Sequence, residues 1–112
     1  LKESQNNLFI FYPELKEYFD NLSDLPYFLS MHMTDEVIYW SLFYSGWNVF
    51  HILGMHRQSE ELFTVKLPIS YEYTKAFSIQ GVHQNRVYGI EMKDAEGSSV
   101  VFFDLEWIIR LL

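Results

Sequence analysis

The sequence predicts a mainly β domain of the α+β class. We expect a curved antiparallel sheet that closes toward a sandwich or half-barrel, with one N-terminal helix across an edge or open face. Two extended runs flank Asp94-Ala95-Glu96-Gly97, which indicates a β-hairpin because glycine can adopt the positive φ of a tight reversal. Aromatic residues, which favour strands, make up 19% of the 112 residues. The length predicts a single domain over residues 1–112, with residues 1–7 expected to fray.

The helix is predicted from one apolar face near the N-terminus. Leu15, Tyr18, Phe19 and Leu22 follow one another at helical spacing, and polar residues occupy the opposite face. Pro13 suits a first helical turn, where its missing N–H has no intrahelical partner to lose. The pattern therefore predicts a helix from Pro13 to about Leu22.

Three strands are predicted next, because the apolar period changes from helical spacing to two. They cover Tyr27–Met33, Val37–Tyr44 and Trp47–Leu53, with turns at residues 34–36 and 45–46. The middle strand carries large side chains on both faces. Such a strand is either central between two layers or part of a contact surface.

The second half of the chain predicts further strands. Gly54–Glu60 is polar and is interpreted as a loop, and Glu61–Leu67 alternates as a strand does. Pro68 cannot donate to a ladder, so a bend or edge position is expected there. Ile69–Gln80 is expected to form a strand pair or one bent strand, followed by a polar loop at residues 82–85.

The hairpin that begins at Arg86 is interpreted as the scaffold onto which the other strands add. Along its first strand, an apolar face alternates with a mixed face, the two being Tyr88, Ile90 and Met92 against Val87, Gly89, Glu91 and Lys93. We expect the apolar face to be covered by the rest of the chain. The tail Leu105–Leu112 fits either a helix or a strand, and a strand is favoured because β-branched residues extend the preceding run.

No catalytic, metal or cofactor motif is recognisable. The four histidines are His32, His51, His56 and His83. Their spacing does not match that of the common metal-binding motifs. Two adjacent acid pairs occur, Asp35–Glu36 and Glu60–Glu61, but neighbouring residues on a strand point to opposite faces. Neither pair forms a two-carboxylate site by itself, so we interpret both as solvated turn charges. We therefore expect no enzyme and no cofactor.

Charge and composition narrow the class of partner. A formal charge of −7 argues against sequence-independent nucleic-acid binding, which depends on neutralising phosphates. No apolar run approaches membrane-spanning length and no signal peptide is recognisable, so we expect no membrane partner. The absence of cysteine permits a reducing compartment, and a cytoplasmic location is favoured.

Two features are candidates for a partner-binding surface. The acids Glu14, Glu17, Asp20 and Asp24 on and after the helix could steer a basic protein, or could simply be a solvated helix face. An aromatic cluster follows, and its candidate contact residues are Tyr39, Trp40, Tyr44 and Trp47. Tyr and Trp are common interface hot spots, but small β proteins also need such side chains to fill the core.

Four segments carry a resemblance to a known family. They are Phe63-Thr-Val-Lys-Leu, Ala76-Phe-Ser-Ile-Gln-Gly, Asn85-Arg-Val-Tyr-Gly-Ile-Glu-Met and Val100-Val-Phe-Phe. Together they resemble the C-terminal half of some small bacterial immunity proteins of polymorphic-toxin systems, over about half of the chain. The resemblance implies a non-enzymatic protein that binds and blocks a cognate toxin, many such toxins being basic nucleases. It transfers no functional residue.

The leading prediction is thus a non-enzymatic protein–protein interaction domain, an acidic inhibitor of immunity type that binds a basic partner. One alternative is a small-ligand carrier, a β-cup lined by Tyr, Trp and Phe. A second alternative is a structural homodimer that uses the aromatic strands.

Overall fold

The computed structural model describes residues 13–20, 26–69, 71–72, 74–93 and 97–105. These residues form one helix and seven strands: α1 (Pro13–Asp20), β1 (Tyr27–Met33), β2 (Val37–Tyr44), β3 (Val49–His56), β4 (Leu62–Lys66), β5 (Thr74–His83), β6 (Arg86–Lys93) and β7 (Gly97–Asp104). Every strand pairing is antiparallel. The prediction of a mainly β, antiparallel architecture is confirmed.

The strands form two sheets and not one continuous curved sheet. Sheet 1 has the order β1-β2-β3-β4 and sheet 2 the order β5-β6-β7, so each is a meander of sequential neighbours. One core lies between them and takes side chains from both: Val37, Tyr39, Phe50, Ile52, Val65, Leu67, Phe77, Ile79, Val87 and Leu105. Burial of this apolar surface is the main contribution that holds the sheets together.

A second core lies on the opposite face of sheet 1. It contains Ile38, Trp40, Leu42, Tyr44, Leu53 and Met55, together with Phe19 of α1. The Phe19 ring packs 5.2 Å from the Phe28 ring, centroid to centroid, which places α1 over this face. Strand β2 is therefore buried on both faces, and of the two interpretations of its pattern it is the central strand between two layers.

A chain of side-chain hydrogen bonds joins β5 to sheet 1. The N–H of Ile79 donates to Ser30 Oγ at 2.9 Å, and Ser41 Oγ donates to the carbonyl of Phe77 at 2.8 Å. The two serine hydroxyls also hydrogen-bond each other. A β-bulge between Phe28 and Ser30 shifts the register and places the two serines opposite each other. Backbone groups of β5 are thus satisfied without a continuous ladder between the sheets.

The buried face of β6 is opposite to the one expected. Val87, Gly89 and Glu91 face the core, whereas Tyr88 and Met92 are exposed. Gly89 accounts for part of this result, since a Cβ atom there would collide with the Phe77 ring that packs on it. The remaining part is the hydrogen bond that the buried Glu91 carboxylate accepts from Thr74 Oγ1 at 2.6 Å, because a paired carboxylate is far less costly to bury.

Several predicted boundaries were also wrong. Trp47 lies in a four-residue turn and not in β3, because the turn extends to Asn48, whose φ of 54° is left-handed. Gly54–His56 belongs to β3, and the loop begins only at Arg57. Residues 82 and 83 continue β5 to a two-residue turn, since their backbone groups pair with β6.

The predictions for the two ends of the chain fall partly outside the described residues. Strand β7 ends at Asp104 and Leu105 is no longer in it, its N–H donating instead to the Asn85 carbonyl at 2.8 Å. The predicted strand over the rest of the tail lies outside the described residues, as do the frayed residues 1–7 and the end of the predicted helix at Leu22.

Candidate binding cleft

Three turns meet at one end of the molecule. In an antiparallel meander alternate turns lie at the same edge, so the β1–β2 turn (residues 34–36) and the β3–β4 turn (residues 57–61) are neighbours. The N–H of Arg57 donates to the Glu36 carbonyl at 2.9 Å and ties these turns together. The β5–β6 turn lies across from them, and a cleft of about 730 Å³ separates the two sides.

The floor of the cleft is a row of residues across three strands. Tyr39 of β2 is opposite Gly54 of β3, and Gly54 is opposite Phe63 of β4. A Cβ atom at Gly54 would overlap the Phe63 ring, so that ring lies directly over the glycine. The rings of Phe63 and Tyr39 then meet edge to face, with centroids 6.1 Å apart and an interplanar angle of 76°.

Tyr39 provides a polar group at the floor. Its side chain is 6% exposed and lines the cleft. Within the part of the chain that the structure describes, its hydroxyl forms no hydrogen bond. Burial raises the pKa of this phenol, and the negative charge of Glu36 raises it further. A neutral hydroxyl that can still accept or donate a hydrogen bond therefore lies at the floor.

One rim of the cleft is acidic. Asp35 and Glu36 are exposed there, and neither forms an ion pair with any described residue. An adjoining crevice of about 420 Å³ shares Asp35, Glu36 and His56 with the cleft and adds Glu61. A cation lies nearby, Arg57, whose Nη1 donates to the Thr34 carbonyl at 3.1 Å. The rim thus carries a local excess of negative charge that can attract cations.

The opposite rim is the β5–β6 turn. Gln84 and Asn85 have positive φ values of 50° and 63°, the conformation of a type I′ hairpin turn. Asn tolerates this region well, but Gln does so less readily, and strained backbone is often retained at functional sites. His83 and the apolar side chains of Val82 and Leu105 complete the lining on this side.

Of the acids predicted on and after the helix, Glu17 and Asp20 do not line the cleft. Glu17 and Asp20 are exposed on α1, and Asp20 pairs with Lys16 at 2.6 Å. Glu14 belongs to α1, and Asp24 lies outside the described residues. The contact of Phe19 with Phe28, near the start of β1, lies about 20 Å along the strand from the acidic turn.

The predicted aromatic residues are mostly in the cores. Tyr39, Trp40 and Tyr44 are 6%, 1% and 2% exposed, whereas Trp47 is 55% exposed and stacks on Tyr44 with ring centroids 5.2 Å apart. Of these four residues, Trp47 offers surface to a large partner. Tyr39 lines the cleft.

Sequence reasoning missed the grouping of the turn residues. It treated each acid pair alone, whereas the structure brings Asp35, Glu36 and Glu61 around His56, with His83 across the cleft. The available signal was the meander itself, because strands of similar length place their first and third turns at the same end. The contribution of sheet 2 carries no comparable local signal.

The arrangement is suited to binding positively charged or donor-rich groups. Within the described ranges, no group of three His, Asp or Glu side chains could hold a metal ion. The groups that converge are carboxylates, imidazoles, a phenol and side-chain amides around an aromatic floor. Carboxylates and the phenol oxygen are hydrogen-bond acceptors, so they complement a cationic donor.

No protein-family model, curated protein or solved structure matches the chain. No helix in the described part of the chain is long and apolar enough to cross a membrane.

Proposed function

We propose that this chain is a non-enzymatic protein–protein interaction domain that binds a basic partner at the cleft. The observation that carries the proposal is the pair of rim carboxylates, Asp35 and Glu36, which have no ion-pair partner among the described residues. The formal charge of −7 supports it, because an acidic molecule attracts a basic partner and speeds their encounter.

A narrower form of the proposal is an inhibitor of immunity type. The resemblance of the second half of the chain to bacterial immunity proteins supports it, and its partner would be a basic toxin enzyme. In this form the exposed acids of α1, with Glu14 and Asp24, would steer the partner, and Trp47 would contact it directly.

The test compares two variants that each lose two negative charges, a cleft variant (Asp35→Asn with Glu36→Gln) and a helix variant (Glu17→Gln with Asp20→Asn). A pull-down from the native source recovers the partner, and its association and dissociation rates with each variant are then measured. Asp35→Asn with Glu36→Gln should weaken binding of a basic partner about tenfold or more, since charge-assisted hydrogen bonds are lost. Glu17→Gln with Asp20→Asn removes the same charge and should mainly slow association at low salt. Unchanged affinity in the cleft variant would remove the cleft from the proposal.

A second candidate function is small-ligand binding, which the size of the cleft favours. Its volume of about 730 Å³ falls within the usual range of small-molecule pockets, and Tyr39 and Phe63 provide an aromatic floor. Native mass spectrometry of freshly purified protein should then show a bound molecule. A ligand-free mass, with no thermal stabilisation by any member of a cationic metabolite set, would argue against it.

A homodimer is a third candidate function, and the exposed apolar side chains of sheet 2 favour it. The outer face of sheet 2 exposes Tyr88, Met92, Val100 and Phe102, with Val100 81% exposed. Contiguous apolar side chains of this kind often mark an association surface. Sedimentation at high concentration should show a dimer that Val100→Lys dissociates, and a monomer in the unmodified chain would contradict the idea.

A further inference from the structure

We infer that the group recognised by the cleft is a guanidinium, the side chain of an arginine on the partner. This inference rests on the proposed function and makes it more specific. It combines two independent observations: the carboxylates at the rim, which form no ion pair with a described residue, and the hydroxyl of Tyr39 at the floor, a residue 6% exposed, which forms no hydrogen bond with a described residue.

Several groups of the cleft can accept hydrogen bonds, and the carboxylates of Asp35 and Glu36 can only accept them. A guanidinium has five N–H donors in a planar fork and no acceptor. The acceptors available to it are the carboxylates of Asp35 and Glu36, the phenol oxygen of Tyr39, and the side-chain carbonyl oxygens of Gln84 and Asn85. A donor-only cation can therefore satisfy groups that have no partner within the described residues.

The aromatic floor favours a flat cation. A guanidinium stacks on aromatic rings, and both Tyr39 and Phe63 line the cleft. It is also more weakly hydrated than an ammonium ion, so its entry into a partly apolar cleft costs less desolvation than entry of a lysine. The floor is thus expected to distinguish Arg from Lys, which the rim charges alone would not.

Arg57 does not occupy the rim carboxylates. Its own guanidinium already donates to the Thr34 carbonyl at 3.1 Å, beside the acidic turn. Because it uses a backbone carbonyl, it leaves the carboxylates of Asp35 and Glu36 without an ion pair among the described residues. The guanidinium of a partner's arginine would form ion pairs with these two carboxylates.

The experiment is an NMR titration with two matched peptides, acetyl-Gly-Arg-Gly-amide and acetyl-Gly-Lys-Gly-amide. The Arg peptide should shift the ring signals of Tyr39, Phe63, His56 and His83 saturably. The Lys peptide should bind roughly two- to fivefold more weakly, the difference expected for one stacked cation. Equal affinities, or shifts that do not include Tyr39 and Phe63, would overturn the inference.

Three single variants make the test specific to the cleft. Glu36→Gln should weaken the Arg peptide roughly fivefold, and Tyr39→Phe, which keeps the ring and removes only an unpaired hydroxyl, roughly twofold. Glu72→Gln removes an exposed charge beside Tyr71, whose ring stacks on Phe43 at the other end of β2, and should leave binding unchanged. An equal loss in Glu36→Gln and Glu72→Gln would reduce the effect to net charge and contradict the inference.

The outcome separates this inference from the proposed function. If the cleft variant loses the basic protein partner while neither peptide binds, the interaction domain stands and arginine recognition fails. If the Arg peptide binds at the cleft while the cleft variant keeps its protein partner, the guanidinium site stands and the proposed docking surface fails.

Discussion

Two glycines and two phenylalanine rings set the local packing of both sheets. Gly54 lies under the Phe63 ring in sheet 1, and Gly89 lies under the Phe77 ring in sheet 2. Glycine weakens a strand because it has no side chain to pack, but a cross-strand ring can cover it. In sheet 1 this arrangement also forms the cleft floor. Gly54 therefore affects both the stability of the sheet and the shape of the candidate site.

Gly54→Ala should therefore destabilise the protein. The added methyl group forces the Phe63 ring aside, and overpacking of this kind costs about 1–3 kcal/mol. The matched control is Gly81→Ala, because a Cβ atom there has no neighbour within 4 Å. Urea unfolding followed by tryptophan fluorescence measures both free energies of unfolding. Equal stability of the two variants would contradict the close contact at Gly54.

Tyr39 should make stability depend on pH in the alkaline range. Its pKa in the folded protein is raised above the ordinary 10.0 by burial and by Glu36, so the unfolded chain ionises first as the pH rises. Below pH 10 the phenol is neutral in both states, and Tyr39 does not make the free energy of unfolding depend on pH. Above pH 10 the unfolded chain releases this proton first, so the free energy of unfolding falls. Tyr39→Phe should lose less stability than the unmodified protein above pH 10. Parallel stability curves on both sides of that pH would contradict the shift.

At the scale of the elements, the β5–β6 hairpin depends on a buried polar pair. Glu91 is 9% exposed on the core side of β6 and accepts a hydrogen bond from Thr74 Oγ1 at 2.6 Å, with Lys93 Nζ 3.8 Å away. A bulge between Thr74 and Ala76 occurs where β5 begins to pair with β6. The pair makes a carboxylate tolerable on the face that the alternation pattern alone assigned to solvent.

Thr74→Val should weaken this hairpin. Valine has nearly the same shape but no donor, and a buried acceptor left without its partner costs about 1–3 kcal/mol. Thr74→Ser keeps the hydroxyl and should recover most of the loss. Hydrogen exchange of the β5 and β6 amides, measured with the global unfolding free energy, locates the effect. If Thr74→Ser were as unstable as Thr74→Val, the methyl group and not the hydrogen bond would be responsible.

At the scale of the whole molecule, two serines join the sheets. Ser30 and Ser41 lie on different strands of sheet 1, yet they satisfy the N–H of Ile79 and the carbonyl of Phe77 in β5. Their mutual hydrogen bond makes the connection continuous from one backbone group to the other. Sheet docking thus depends on a short polar chain as well as on the core between the sheets.

A double-mutant cycle should show that these serines act as a unit. Ser30→Ala and Ser41→Ala each leave a backbone group of β5 unpaired and should each cost about 1–3 kcal/mol. The double variant should lose less than the sum, because both single changes break the same serine–serine bond. Chemical denaturation of all four proteins measures the coupling, and additive losses would exclude it.

Much of the strand structure was predictable because its signals are local. In Val37–Tyr44 and in Leu62–Lys66, alternate side chains pack into the two different cores, as side-chain alternation along a strand predicts. The turn at residues 34–36 was recognisable from its composition. Where prediction failed, as at Trp47 and Gly54, the outcome depended on a left-handed Asn48 and on a ring packed from the next strand.

The candidate site was less predictable than the strands. Asp35 and Glu61 were visible as acids in the sequence, but their meeting requires the turns of two hairpins to lie side by side. Tyr39 was chosen as a contact residue for its type, while its position on the cleft floor follows from the cross-strand row with Gly54 and Phe63. The sequence therefore predicted a binding surface on the helix acids and the aromatic strands. In the structure the candidate site is lined mainly by residues of the turns and of the strand ends beside them.

The sequence by itself determined the mainly β architecture, the antiparallel hairpins and the two faces of each well-patterned strand, because side-chain alternation and turn chemistry act between near neighbours. Only the tertiary structure decided that Val87, Gly89 and Glu91 face the core while Tyr88 does not. The cleft between the sheets was likewise decided only by the tertiary structure. The buried face of β6 and the cleft each depend on which distant segments of the chain pack together, and local propensity does not determine that packing.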